Sequence, residues 1–316
     1  MTSGDAGSTD GSTEETRRLI LNPTSGDGDH VEQVRRLAAD HGFRIVETER
    51  AGHAVDIATQ AAADDVDLLA ICGGDGTVHE AVQGLVAADA LEDMVLSIIP
   101  AGTANIAASA LGIDQIRDGF AAADRGETKR LDLGMADGEP FVLSAIAGLP
   151  AAASTAASEE LKERIGTLAF VIEGLRTARE FDGLEVAVDA AAGDGEYVWQ
   201  GEALCLGIGT LRRFTGENEP SNARTGRLEV TIVDRMPPTD AIAEAVERRF
   251  LSRETPHVTT IEASALEVVA LKDEPVQFSL DGERQEYETV EIGVRPRALR
   301  VCVGEEYGDR GRSMPV

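Results

Sequence analysis

Residues 71–85, Ile-Cys-Gly-Gly-Asp-Gly-Thr-Val-His-Glu-Ala-Val-Gln-Gly-Leu, constrain this chain more than any other stretch. An apolar run ending at Cys72 feeds three glycines (Gly73, Gly74, Gly76), one acid (Asp75) and one hydroxyl (Thr77). Helical periodicity then runs over 78–88. Glycine at such a point lets the backbone take positive φ and lets another group approach it closely. The N–H groups at the start of the following helix form a ready site for phosphate. Asp75 stands where a magnesium–phosphate group needs a carboxylate. A second turn, Ile99-Pro100-Ala101-Gly102-Thr103-Ala104-Asn105, repeats the arrangement of strand, Gly-Thr and helix. One such turn is an ordinary strand-to-helix connection, but two in one half of a chain point to a nucleotide triphosphate site.

The rest of the chain falls into place around these turns. Residues 1–15 are rich in Ser, Thr, Gly and Asp without apolar period and read as a disordered tail. Strands are predicted at 18–21, 43–48, 67–72, 95–100 and 130–134. Between them lie a helix capped by Asp29 and stopped by Gly42, with Val31, Val34, Leu37 and Ala38 on its apolar face, and helices at 52–63, 78–88, 105–111 and 114–125. Alternation of this kind predicts a parallel sheet with functional loops at the carboxyl ends of its strands. His53 and His79 read as surface or helix-face residues. From Gly134 the pattern changes, and Gly134 to Pro140 is turn chemistry, so a domain boundary is placed there. Helices follow at 166–179 and 240–250, with short strands at 184–188, 203–208, 228–233, 266–270, 276–280, 290–294 and 299–303. Serial short strands predict an antiparallel β-sandwich. The expected division is a tail (1–15), an α/β nucleotide-binding domain (16–134), a β-rich second domain carrying substrate-cleft residues (135–304) and a tail (305–316). Asp281-Gly282 reads as a hairpin turn.

The formal charge is −28, with 57 acids against 29 Lys and Arg, and lysine occurs only at 129, 162 and 272. The acids run along the whole chain, which reads as a salt-adapted, halophilic cytoplasmic protein. Nucleic acid is not an expected partner, because neutralising phosphates requires clustered Lys and Arg. Cys72, Cys205 and Cys302 lie in apolar runs without metal-ligand spacing and read as buried small hydrophobes in a reducing compartment. No signal peptide is visible, and no apolar run reaches the ~20 residues of a membrane span. No Gly-Lys-Ser/Thr occurs, so there is no Walker motif, and no G-x-G-x-x-G follows the first strand.

Gly73–Thr77 followed by Glu80, with Asn22-Pro23-Thr24-Ser25-Gly26 before it and Pro100-Ala101-Gly102-Thr103-Ala104-Asn105 after it, resembles the diacylglycerol-kinase catalytic-domain family. That family includes the bacterial lipid kinases and the sphingosine and ceramide kinases. The resemblance runs from about Arg18 to about Val303. It implies a first domain of the NAD kinase/diacylglycerol kinase-like kind. It also implies ATP held by Asn22, Pro23, Thr24, Ser25, Gly26, Thr48, Gly73, Gly74, Asp75, Gly76, Thr77, Glu80, Gly102, Thr103 and Asn105. Magnesium would be organised by Asp75 and Asp132. The catalytic set it implies is Glu283 as general base, Asp281 as runner-up for that role, and Asp75. Three positions depart from the family: Asp27 replaces a basic residue, Ile106 replaces an acid, and Thr225 precedes Gly226 where relatives carry an acid for a structural magnesium. That structural metal is not expected here.

Three functions are compatible with these features. The first is an ATP-dependent lipid kinase acting on the hydroxyl of a diacylglycerol-like or other long-chain lipid, with peripheral contact to the membrane surface. The second is an NAD kinase, although the continuation Val-His-Glu-Ala-Val-Gln-Gly-Leu follows the lipid-kinase style. The third is a catalytically weakened nucleotide-binding regulator, suggested by the three departures. A homodimer is left open. Asp75 is expected to matter more to turnover than to folding, as a turn carboxylate with little core to support. Charge alone yields a further expectation: stability rises from dilute buffer into molar KCl, where the Debye length falls to ~3 Å and repulsion is screened. A melting temperature that stays flat or falls over that range would remove the salt-adapted reading.

Overall fold

The computed structural model describes residues 16–148, 183–193, 195–211, 225–235, 257–305 and 307. The predicted tail at 1–15 and helices at 166–179 and 240–250 lie outside the described residues, as does most of the tail after 305. The first half alternates β1 (Arg17–Leu21), α1 (Val31–Asp40), β2 (Arg44–Glu47), α2 (His53–Ala63), β3 (Leu68–Gly73), α3 (Asp75–Ala87), β4 (Val95–Pro100), α4 (Ile106–Ala110) and α5 (Ile116–Arg125). The strands pair in parallel in the order β4-β3-β1-β2. Each crossover must be right-handed, and the order reverses at β1, so α1 lies on one face and α2 and α3 on the other. α2 and α3 pack on each other, and α1 packs on α5. The reversal opens a crevice outside the carboxyl ends of β1 and β3, the usual ligand position in open parallel sheets.

The second half is antiparallel: β5 (Thr128–Ala136), β6 (Glu139–Phe141), β7 (Ser144–Gly148), β8 (Leu184–Ala192), β9 (Gly195–Gly209), β10 (Leu228–Asp234), β11 (Val258–Ala270), β12 (Val276–Leu280), β13 (Glu283–Tyr287) and β14 (Thr289–Cys302). β9 and β11 are long, and each divides its length between β8 and β10. The four strands therefore close on one another around a second core that includes Val188, Leu206, Val230, Leu266 and Phe278. The runs predicted as separate strands at 290–294 and 299–303 belong to one strand, β14, with an irregular register between Arg295 and Leu299. Pro296 offers no N–H there, and Arg297 adopts φ +55°.

β14 joins the halves. Its first residues pair with β11 and its last pair in parallel with β4, so all the described strands belong to one continuous sheet. Gly134 lies inside β5, and the chain changes core there: Leu131 and Leu133 pack in the first core, Ala136 in the second. Leu299, Val301 and Val303 return to the first core, so β14 crosses back over the sequence division at 134. The turn chemistry predicted after Gly134 is the tight Asp137-Gly138 connection between β5 and β6.

Gly84 shows how closely α2 and α3 approach. A Cβ there would lie 2.3 Å from the Val55 carbonyl oxygen and 3.0 Å from the Ala58 Cβ. Gly84→Ala is expected to cost about 1–3 kcal/mol through overpacking, read as a lower urea midpoint at unchanged slope. An unaltered midpoint would show that the helices can separate without penalty.

Candidate active site

Three loops meet at the carboxyl edge of the parallel sheet. The first continues the ladder from β1, with Asn22 N–H donating to the Cys72 carbonyl at 2.9 Å, and the third does so from β4, with Ala101 N–H donating to the Gly73 carbonyl at 3.0 Å. Asn22 Nδ2 donates to Thr77 Oγ1 at 3.0 Å, tying the first loop to the glycine loop. Its Oδ1 receives the Thr24 N–H and hydroxyl. Two glycines are required by proximity. A Cβ on Gly102 would lie 2.3 Å from the Gly74 Cα, and one on Gly26, which has φ +57°, would lie 2.8 Å from the Ala101 oxygen. Gly76 has open space about it and is exposed in the first turn of α3. Asn105, at φ +48°, closes its own turn by accepting from Gly102 N–H and donating to Gly102 O.

The structure brings Asn22, Thr24, Ser25, Gly26, Gly73, Gly74, Thr77, Gly102 and Asn105 into this cluster. Thr103 is exposed on the same loop as Gly102. Thr48 is half-buried just past β2, where its N–H donates to the Leu21 carbonyl. Cys72 lies under the glycine loop with its thiol pushed up to about 12 by burial, so it is a neutral packing group. All three cysteines are buried and free.

The carboxylates singled out in the sequence also make main-chain contacts. Asp75 accepts the N–H groups of Ile106 (3.1 Å) and Ala107 (2.9 Å), so it caps α4 from the neighbouring loop. It therefore supports structure as well as lining the edge. The reason is that α4, with only Ala107 and Ala108 buried, has no side-chain cap of its own. Glu80 accepts from Gly52 N–H (2.9 Å) and Ala54 N–H (3.2 Å) and caps α2. Asp132 is buried, and its two oxygens accept from Gly226 N–H (2.6 Å) and Arg297 N–H (2.8 Å), pinning the Thr225-Gly226 turn and the β14 irregularity to β5. Asp27, the departure from a basic residue, accepts the Asp29 N–H.

These contacts bear on magnesium. Asp75 and Asp132 each engage both oxygens with main-chain N–H groups, and among the described residues no three His, Cys, Asp or Glu side chains gather to hold a metal. A carboxylate that accepts two N–H groups keeps further lone pairs, so Asp75 would still be able to join a magnesium ion brought in with nucleotide phosphates, where the ion would neutralise charge on the transferred group.

Across the edge stands the β12–β13 hairpin, whose two-residue turn is Asp281-Gly282, both at positive φ. Asp281 accepts from the N–H groups of Val142 (2.6 Å), Leu143 (2.8 Å) and Ser144 (2.9 Å), and its Oδ2 lies 3.2 Å from His79 Nδ1. His79 lies on a face of α3, one of the two positions expected for it, but that face is buried and not at the surface. A signal for this was present: 79, 82 and 86 share a helical stripe with Val82 and Val86, the spacing of a packed face. The three amides at 142–144 carried no sequence signal, because a main-chain donor leaves no mark in residue type. Glu283 is exposed at the first position of β13 and makes no side-chain hydrogen bond among the described residues.

A profile of the diacylglycerol kinase catalytic domain matches residues 16–136. The diacylglycerol kinase of Bacillus subtilis (strain 168) is 30% identical over 281 residues, covering 84% of this chain and 89% of that protein. A probable lipid kinase YegS-like protein of Pseudomonas fluorescens is 30% identical over 285 residues, 86% of this chain and 89% of its own. The crystal structure of a diacylglycerol kinase from Bacillus anthracis str. Sterne superposes with TM-score 0.68 over 93% of this chain and 98% of that one, at 20% identity. The parallel sheet with its glycine loops and the antiparallel half thus form a diacylglycerol-kinase-like fold. The chain belongs to the diacylglycerol kinase family.

The capping role of Asp75 predicts that Asp75→Ala lowers stability by about 1–2 kcal/mol, because two N–H groups lose their acceptor. Denaturation curves that superpose on the native protein would show that solvent replaces the carboxylate.

Proposed function

We propose that this protein transfers the γ-phosphoryl group of ATP to the hydroxyl of a diacylglycerol-like lipid, with Glu283 as general base. The observation that carries the reading is the seating of the Asp281-Gly282 turn against α3 through His79, one helical turn beyond Asp75 and Gly76. A carboxylate on that turn and phosphates at the head of α3 would then face the same crevice. Membership of the family supports a lipid as acceptor, and the names of its relatives supply the class but not the individual lipid.

Phosphoryl transfer asks a protein chiefly for positioning and charge stabilisation. In this reading the N–H of exposed Gly76 and the N–H and hydroxyl of exposed Thr103 hold the phosphates, while the Gly102 N–H closes the turn on Asn105. The acceptor oxygen attacks the γ-phosphorus, the bond to the β–γ bridging oxygen breaks, and ADP leaves. Glu283 takes the hydroxyl proton as the O–H loosens in the transition state. Glu283 suits this better than Asp281, because its carboxylate is exposed while that of Asp281 is enclosed by N–H donors. No helix among the described residues is long and apolar enough to cross a membrane; in this reading the lipid hydroxyl is met at the bilayer surface.

Glu283→Gln keeps the shape and removes the basicity. It is expected to lower kcat by about 10²–10⁴ while KM for ATP stays nearly constant. Mass spectrometry of the product after incubation with ATP and total lipid, with NAD as a parallel acceptor, identifies the substrate class. A phosphorylated NAD without any phosphorylated lipid, or normal turnover by Glu283→Gln, would overturn the assignment concerned.

A further inference from the structure

His79 and Asp281 stand 202 residues apart in sequence, yet their side chains are only 2% and 1% exposed and lie 3.2 Å from each other. We propose that this pair is a positioning device. It sets the place of the Glu283 carboxylate relative to the glycine loop, and Asp281 itself takes no proton from the acceptor. The kinetic half of the inference rests on the lipid-kinase reading; the structural half does not.

Enclosure comes first. The carboxylate of Asp281 faces four N–H donors, three from consecutive main-chain groups and one from the imidazole. Its own N–H donates to the Ser144 carbonyl, so the residue is clamped through both side chain and main chain. With its side chain this buried, the carboxylate offers no exposed oxygen to an acceptor hydroxyl. The segment it grips is itself held from behind, since Thr210 donates its hydroxyl to the Val142 carbonyl and its N–H to the Leu143 carbonyl.

Leverage comes second. Among the described residues β13 pairs only with β12, and β12 reaches the rest of the sheet through β7. The hairpin is therefore a sheet edge whose tip needs a separate anchor. Glu283 follows Asp281 by two residues, so whatever holds Asp281 orients Glu283. Among the described side-chain hydrogen bonds, two connect α3 to the second half. One is the exposed Gln83–Glu139 contact at 3.3 Å, and the other is the buried His79–Asp281 contact. The buried one cannot be broken without leaving polar atoms unpaired away from water. A carboxylate opposite Nδ1 also requires that nitrogen to carry the hydrogen, so the ring acts here as a donor.

The test compares His79→Leu with His79→Asn. Leucine fills the volume without a donor, whereas the asparagine amide nitrogen lies the same number of bonds from Cα as Nδ1. His79→Leu is expected to lower kcat about 10- to 100-fold with KM for ATP within about 2-fold, and His79→Asn to stay within about 3-fold of the native kcat. Amide exchange at Val142, Leu143 and Ser144 is read on the same proteins. It should accelerate in His79→Leu and return to native protection in His79→Asn. Should His79→Leu fail to fold, His79→Gln takes its place, because its amide extends one bond too far and misplaces the donor. Native kcat in the donor-less or misplaced variant, or unchanged amide protection there, overturns the proposal. A native protein that phosphorylates no lipid would defeat the functional reading instead, and the exchange data would still decide whether His79 positions the turn.

Discussion

A carboxylate taken out of water must be met by hydrogen-bond donors, and for the carboxylates at the carboxyl edge and at the junction between halves those donors are mainly main-chain N–H groups. Asp75, Glu80, Asp132 and Asp281 each receive two or more of them, and each joins segments distant in sequence. Such bonds are charge-assisted and stronger than neutral ones. They satisfy helix starts and turns that would otherwise hold unpaired N–H groups. Much of the carboxyl edge and of the junction between halves is assembled this way.

The glycine loops depend on the same frame. Gly74 and Gly102 approach backbone to backbone, where neither has a Cβ to intervene, and Asp75 holds the start of α4 beside them. The residues that suggest phosphate chemistry are thus also the residues that build the edge. A substitution there changes structure and site together, and kinetic effects need stability measurements beside them.

The two halves share one sheet through β14, and two cores meet along it. The sheet transmits position from one half to the other at its middle. The His79–Asp281 pair does so at its edge, close to the loops. The surface meanwhile carries the large negative charge. The ion pairs between exposed or half-exposed groups, such as Arg35 with Glu47 and Arg50 with Asp56, contribute little each, so they do not offset that charge.

Local pattern was enough for the first half. Apolar runs and helical periods lie in the same order as β1 to α5, and the repeated Gly-Thr turns lie at the strand ends, because both signals are properties of neighbouring residues. The same holds for the hairpin at Asp281-Gly282, where two adjacent residues must accept positive φ. Residue type singled out Asp75, Glu80, Asp132 and Asp281 as candidates. What each carboxylate does was decided only by the tertiary structure. Asp132 grips Gly226 and Arg297, Asp281 grips Val142 to Ser144, and Glu80 grips Gly52 and Ala54. Their partners are main-chain groups that every residue possesses, so composition carries no trace of them. The union of 290–294 with 299–303 into β14 was hidden for a related reason: strand continuity across an irregular register is set by the neighbouring strands, not by the residues inside it.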